Sequence, residues 1–172
     1  TCLNTILDAI SKIRDTATSH ERTILIEVMG RNAGDLALYS ALAGGGDGLL
    51  IPEIENSIEL LPLQIKERRR NGKLHDIVLV AEGVGKVSDI EEFLKQKMSS
   101  EVRSVVLGYV QRGGIPSGFD RILATKMAVK AVQLLDEKIS GVMVGIENNK
   151  IITHPISYAW EGTRETSLEA DY

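Results

Sequence analysis

The sequence predicts an α/β fold, a three-layer sandwich with a mainly parallel sheet. Three observations carry that prediction. Short runs of branched apolar residues alternate with helix-period segments from end to end. One run, Asp76–Ala81, is continuously apolar, the mark of a strand covered on both faces. Two strand–loop–helix stretches share a plan in which a glycine, an arginine and small residues follow the strand: Thr23–Ala37 and Ser104–Leu135. In open parallel sheets such loops gather at the carboxyl edge, where ligands bind.

Taken in order, Leu3, Ile6, Leu7, Ile10 and Ile13 form a helical stripe over residues 3–14, and Thr16–Ser19 reads as a polar break. Thr23–Val28 is a strand; Glu27 inside it is unusual and is expected at an exposed edge or beside a cation. A helix over about 34–43 ends at Gly44-Gly45-Gly46, where left-handed backbone is needed. Gly48–Ile51 is a short strand closed by Pro52. The next helix should start late, placing Pro62 in its first turn. Arg68-Arg69-Arg70 near its end reads as a solvated face complementing the helix dipole, the alternative being an anion site.

After the Asp76–Ala81 strand comes Glu82-Gly83, a carboxylate at a strand's carboxyl end and so a site candidate. Ser88-Asp89-Ile90-Glu91 has the pattern of a capping box for a helix to about Met98. Ser104–Leu107 reads as a buried strand, and Pro116, Ser117 and Asp120 start the long helix. Gly141–Ile146 and Lys150–Thr153 are two strands turning at Asn148-Asn149. Residues 155–172 read as a small helix and a fraying end.

The totals exclude several classes. A chain of 172 residues with 43% hydrophobic and 26% charged residues is long enough for a real core. The net charge of -4 argues against nucleic acid as a partner. No apolar run has the length of a membrane span, and the single Cys2 suits a reducing, cytoplasmic setting. The chain opens at Thr1 inside a helical pattern and ends at Tyr172 without a stop signal, so a piece of a longer chain is expected. No Walker-type or Gly-x-Gly-x-x-Gly loop, metal-ligand spacing or Ser/His/Asp set is present. What remains is chemistry for a phosphorylated, hydroxyl-bearing small molecule. Arginine forks pair with phosphate oxygens, and a carboxylate accepts from sugar hydroxyls.

Val28-Met29-Gly30-Arg31 with Gly34-Asp35-Leu36-Ala37, Ala81-Glu82-Gly83, and Val106–Gly114 with Phe119-Asp120-Arg121 resemble the bacterial-type, ATP-dependent 6-phosphofructokinase family. The resemblance runs from about Leu3 to His154 and covers only the family's second half, its smaller Rossmann-like domain. It implies a helix over 1–20 leading in from a nucleotide-binding domain, a sugar-phosphate-binding domain over 21–154, and a C-terminal segment over 155–172. It implies that Met29, Gly30, Arg31, Glu82, Tyr109, Val110, Gln111 and Arg112 contact fructose 6-phosphate, with Arg31 also catalytic. Arg22 and Arg103 match arginines that reach a neighbouring subunit's site in the family's homotetramer. Arg14, Gly45, Gly46, Asp47, Asn71, Lys73, Leu74 and His75 match an effector site for ADP or phosphoenolpyruvate, with Gly45 and Asp47 suited to Mg²⁺. The family usually has His at the place of Tyr109, and often a basic residue at that of Asn71. The implied parent activity is transfer of the ATP γ-phosphoryl to the 1-hydroxyl of fructose 6-phosphate in glycolysis. Mg²⁺ would arrive with ATP on the other half, and this half alone would be inactive. The alternatives are a pyrophosphate-dependent phosphofructokinase and a non-catalytic effector-binding oligomerisation module.

Overall fold

The computed structural model describes residues 1–55 and 57–161. They form two compact units, Thr1–Gly114 and the stretch from Ile115 onward.

The first unit is the three-layer α/β sandwich. Its elements are α1 (Cys2–His20), β1 (Thr23–Val28), α2 (Asp35–Gly44), β2 (Gly48–Leu50), α3 (Ser57–Arg70), β3 (Asp76–Ala81), α4 (Val87–Lys97) and β4 (Val102–Val106). The four strands are all parallel, in the order β2-β3-β1-β4. Strand alternation sorts the core between the faces. Leu25, Val78 and Val80 pack with Leu61 and Ile65 of α3 and with Ile90 and Leu94 of α4. Ile24, Ile26, Ile77 and Leu79 are buried as well, and on the other face α1 and α2 pack against β1 and β3. Both faces of β3 are covered, and all six of its residues are buried.

Several local expectations give way to tertiary structure. Helix α1 runs through Thr16–Ser19 to His20. Thr18 and Ser19 turn their hydroxyls back to the carbonyls of Arg14 and Asp15 (2.9 and 3.0 Å), and buried Ala17 anchors the last turns. Helix α3 starts at Ser57, which leaves Pro62 in its interior. There the loss of one helical hydrogen bond is tolerated because Pro62 lies buried beside Leu61 and Ile65. The Ser88–Glu91 pattern forms no capping box: α4 begins at Val87 after Lys86, without a side-chain cap, and Glu91 instead binds Lys95 and Ser104. Glu27 is not at an edge, because β1 is flanked by β3 and β4, and among the described residues it pairs with no cation. Strand β4, expected to be buried, is itself an edge strand with Val106 58% exposed. The basic run is no solvated face: Arg68 and Arg69 close on the fully buried Asp76 at 2.6 and 3.3 Å.

The second unit holds α5 (Gly118–Asp136), β5 (Val142–Glu147), β6 (Lys150–Pro155) and α6 (Tyr158–Glu161). Ser117 and Asp120 form a true capping box at the start of α5. Strands β5 and β6 are an antiparallel hairpin turning at Asn148 and Asn149, both at positive φ (49° and 61°) as a type I′ turn requires. The fraying end expected at 162–172 lies outside the described residues. Among those described, no helix is long and apolar enough to cross a membrane.

Candidate functional site

The site is built at the carboxyl edge of the sheet from the three segments that succeed β1, β3 and β4. After β1 the chain makes a tight loop in which Gly30 (φ 154°) and Arg31 (φ 53°) both adopt positive φ. A side chain at position 30 would strike the Ala33 carbonyl, so glycine is required there. The Arg31 conformation is uncommon for a non-glycine residue and is held from outside. Glu82, just past β3, accepts the backbone N–H of Gly30 (3.2 Å) and of Arg31 (2.5 Å) on one carboxylate oxygen. The next residue is Gly83 because any Cβ there would meet the Arg31 carbonyl. The Glu82-Gly83 pair thus shapes the arginine loop, with the second carboxylate oxygen left outside those two bonds.

The third segment is a single 3₁₀ turn, Gly108–Gln111, after β4. Gln111 is 2% exposed. Its side-chain oxygen accepts the Met29 N–H at 3.1 Å, and its side-chain nitrogen donates to the Gly108 carbonyl at 3.0 Å. Arg112 stands over the ring of Tyr109, 5.1 Å from its centroid, and Tyr109 is 78% exposed.

These segments enclose a cleft of about 200 Å³. Of the residues expected in a sugar-phosphate site, Met29, Arg31, Glu82, Tyr109, Gln111 and Arg112 line it. Gly30 and Val110 do not; Gly30 shapes the loop, and Val110 is 67% exposed. Glu27, Val28 and Gly108 also line the cleft, though no sequence pattern marks them as site residues. Glu27 carried a signal of another kind, an acid in an apolar strand, but only the sheet order shows where it lies.

Arg22 and Arg103 lie at the opposite, amino edge, at the starts of β1 and β4. Both bind Glu101: Arg22 Nε lies 2.5 Å from one carboxylate oxygen, and Arg103 Nε and Nη2 lie 2.8 and 2.7 Å from the other. The hydrogen bond from Arg22, with a further one from Arg103, holds the Glu101 carboxyl below its ordinary value.

The residues matched to an effector site meet in pairs at the same amino edge. Arg14 donates to the carbonyls of Gly44 and Gly45 (2.5 and 2.7 Å). Lys73 pairs with one Asp47 oxygen, while the other accepts the Ile77 N–H at 2.8 Å. The Gly45 carbonyl and both Asp47 carboxylate oxygens thus each accept one protein donor. His75 is half-buried, Asn71 and Leu74 are exposed, and Gly46 sits against Ala41 and Leu79. No group of three or more His, Cys, Asp or Glu among the described residues could hold a metal.

Residues 1–135 match the family model described as Phosphofructokinase. The chain is 69% identical over its whole length to a protein of Fusobacterium nucleatum named ATP-dependent 6-phosphofructokinase, covering 53% of that protein. It is 50% identical over 99% of its length to one of the same name from Halalkalibacterium halodurans, again covering 53%. The chain thus spans about half the length of the curated relatives it matches. Among solved structures, phosphofructokinase from Saccharomyces cerevisiae superposes with a TM-score of 0.83 at 32% identity, over 92% of this chain and 23% of that one. The glycine-bearing arginine loop, the acid that holds it and the glutamine that ties it down thus sit in a chain that belongs to the phosphofructokinase family.

Proposed function

We propose that this chain is the sugar-phosphate half of an ATP-dependent 6-phosphofructokinase and presents fructose 6-phosphate to ATP. The observation that carries this reading is the convergence of Arg31, Glu82 and Arg112 on one cleft. At about 200 Å³ the cleft is smaller than a complete ligand pocket of about 300–1,000 Å³, as befits a site finished by a second domain. In this reading the guanidinium forks of Arg31 and Arg112 take up phosphate charge, and Arg31 faces the charge that builds up as the phosphoryl group moves. The free oxygen of Glu82 accepts from a sugar hydroxyl. Nucleotide and its Mg²⁺ belong to the remaining length of the parent. Arg22 and Arg103, at the edge away from the cleft, reach the 6-phosphate held by a neighbouring copy in an oligomer, a tetramer in the family pattern. Arg14 and Lys73 supply cations, and His75 a ring nitrogen, for an effector phosphate, ADP or phosphoenolpyruvate, and the enzyme works in the cytoplasm.

Steady-state kinetics of the parent enzyme test the reading. Arg31→Ala should cost at least a hundredfold in kcat/KM for fructose 6-phosphate, about 2.7 kcal/mol of transition-state stabilisation. Glu82→Gln, which keeps an oxygen for the loop amides, should raise KM several-fold while the fold stays intact. An Arg31→Ala enzyme with unchanged kcat/KM would overturn the assignment. The chain by itself should turn over no fructose 6-phosphate with ATP.

A further inference from the structure

At the amino edge, one carboxylate holds two arginines by their inner sides. Arg22 comes from the residue before β1 and Arg103 from the second residue of β4, and the two strands are paired in parallel with Ile24 opposite Arg103. Glu101 gives one oxygen to Arg22 Nε and the other to Arg103 Nε and Nη2. Its own backbone is fixed as well, since its carbonyl accepts the Thr23 N–H at 3.0 Å. Each arginine thus points its bound edge at Glu101 and keeps terminal N–H groups outside those bonds. The three side chains remain partly exposed, at 27% for Arg22, 59% for Arg103 and 38% for Glu101. The cluster keeps a net positive charge and its donors lie in one place, which suits an oxyanion approaching from outside.

We propose that Glu101 is a positioning residue that assembles Arg22 and Arg103 into one phosphate-binding claw before the phosphate arrives. The proposal rests on the assignment of these two arginines to the 6-phosphate held by a neighbouring copy. Removing Glu101 has two opposing effects. The arginines lose their orientation, and ordering two rotamer-rich side chains then has to be done at binding. Against this, one negative charge leaves the neighbourhood of the phosphate, a gain that solvent and salt screen at an exposed site. Ordering outweighs the screened charge, so the net effect of removal is weaker binding. The lowered pKa of Glu101 keeps the clamp charged throughout the neutral range.

The test is a mutant cycle on the intact oligomeric enzyme, with oligomeric state checked by analytical ultracentrifugation. Glu101→Ala should raise KM for fructose 6-phosphate about tenfold with kcat within twofold and assembly unchanged; Glu101→Gln should recover part of that loss. In an Arg22→Ala, Arg103→Ala background, Glu101→Ala should have no further effect on KM, because the groups it orients are gone. A merely structural glutamate would instead act equally in both backgrounds, and that additivity would overturn the proposal. A KM that falls or stays level in Glu101→Ala, while Arg22→Ala raises it, also overturns the proposal and leaves the role of the arginines standing. If Arg22→Ala and Arg103→Ala leave KM unchanged, the assignment of the two arginines fails and the claw fails with it.

Discussion

The buried side chain of Gln111 accepts the backbone N–H of Met29 at 3.1 Å, across 82 positions of sequence. It joins the turn after β4 to the arginine loop after β1, so each loop's position depends on the other. Replacing Gln111 by Ala leaves the Met29 amide and the Gly108 carbonyl without these partners. An unpaired buried amide costs about 1–3 kcal/mol. A loss of stability of that order is expected in a denaturant titration, together with a higher KM for fructose 6-phosphate because Arg31 and Arg112 are no longer held in register.

Tyr109 and Arg112 form the cleft's exposed wall, with the guanidinium over the ring. Such a contact at an exposed site is worth about 0.5–1 kcal/mol. Tyr109→Phe keeps the ring face and should change KM less than threefold, whereas Tyr109→Ala should change it more. Tyr109→His adds a group titrating near pH ~6.5 and should give sugar-phosphate binding that tightens as pH falls through that range. Initial rates from pH ~5.5 to 8 check all three variants.

Acid should weaken the carboxylate contacts made by Glu101 and Glu91. Glu101 is held below its ordinary value of 4.5 by the hydrogen bond from Arg22 and then by Arg103. For Glu91 partial burial pulls upward, but hydrogen bonds from Lys95 and Ser104 with the charges of Lys95 and Arg103 leave it lowered. In both cases the folded protein favours the ionised form. The stabilisation is therefore complete above the ordinary carboxylate value and is lost as pH falls through the lower, folded one. Melting temperature should decline below about pH 4.5, and the Glu91→Gln, Glu101→Gln double variant should show a shallower decline.

Asp76 has no exposed side-chain surface and meets Arg68 and Arg69. Breaking a buried pair by removing one partner typically costs about 3–5 kcal/mol. Asp76→Ala should destabilise the protein by that order in a urea titration. Asp8→Ala, at an exposed helical pair with Lys12, should cost less than about 0.5 kcal/mol.

What the amino-acid sequence determined by itself is what depends on near neighbours. The strands from Thr23, Asp76 and Lys150, the glycine stop of α2, the Ser117–Asp120 cap and the Asn148-Asn149 turn are all set by periodicity and local backbone chemistry. So is the placing of Arg31, Glu82 and Arg112 just past strand ends, hence on one edge of a parallel sheet. Tertiary structure decided whatever depends on who lies opposite. It put Glu27 between β3 and β4 rather than at an edge, carried Pro62 into the middle of α3, turned Glu91 from a cap to Ser104, and folded Arg68 and Arg69 onto Asp76. It gave Glu82 and Gln111 their work on the arginine loop. The physical reason is that a buried polar group must find a partner, and the partner that wins is set by strand order and packing, which bring together residues that no local pattern connects.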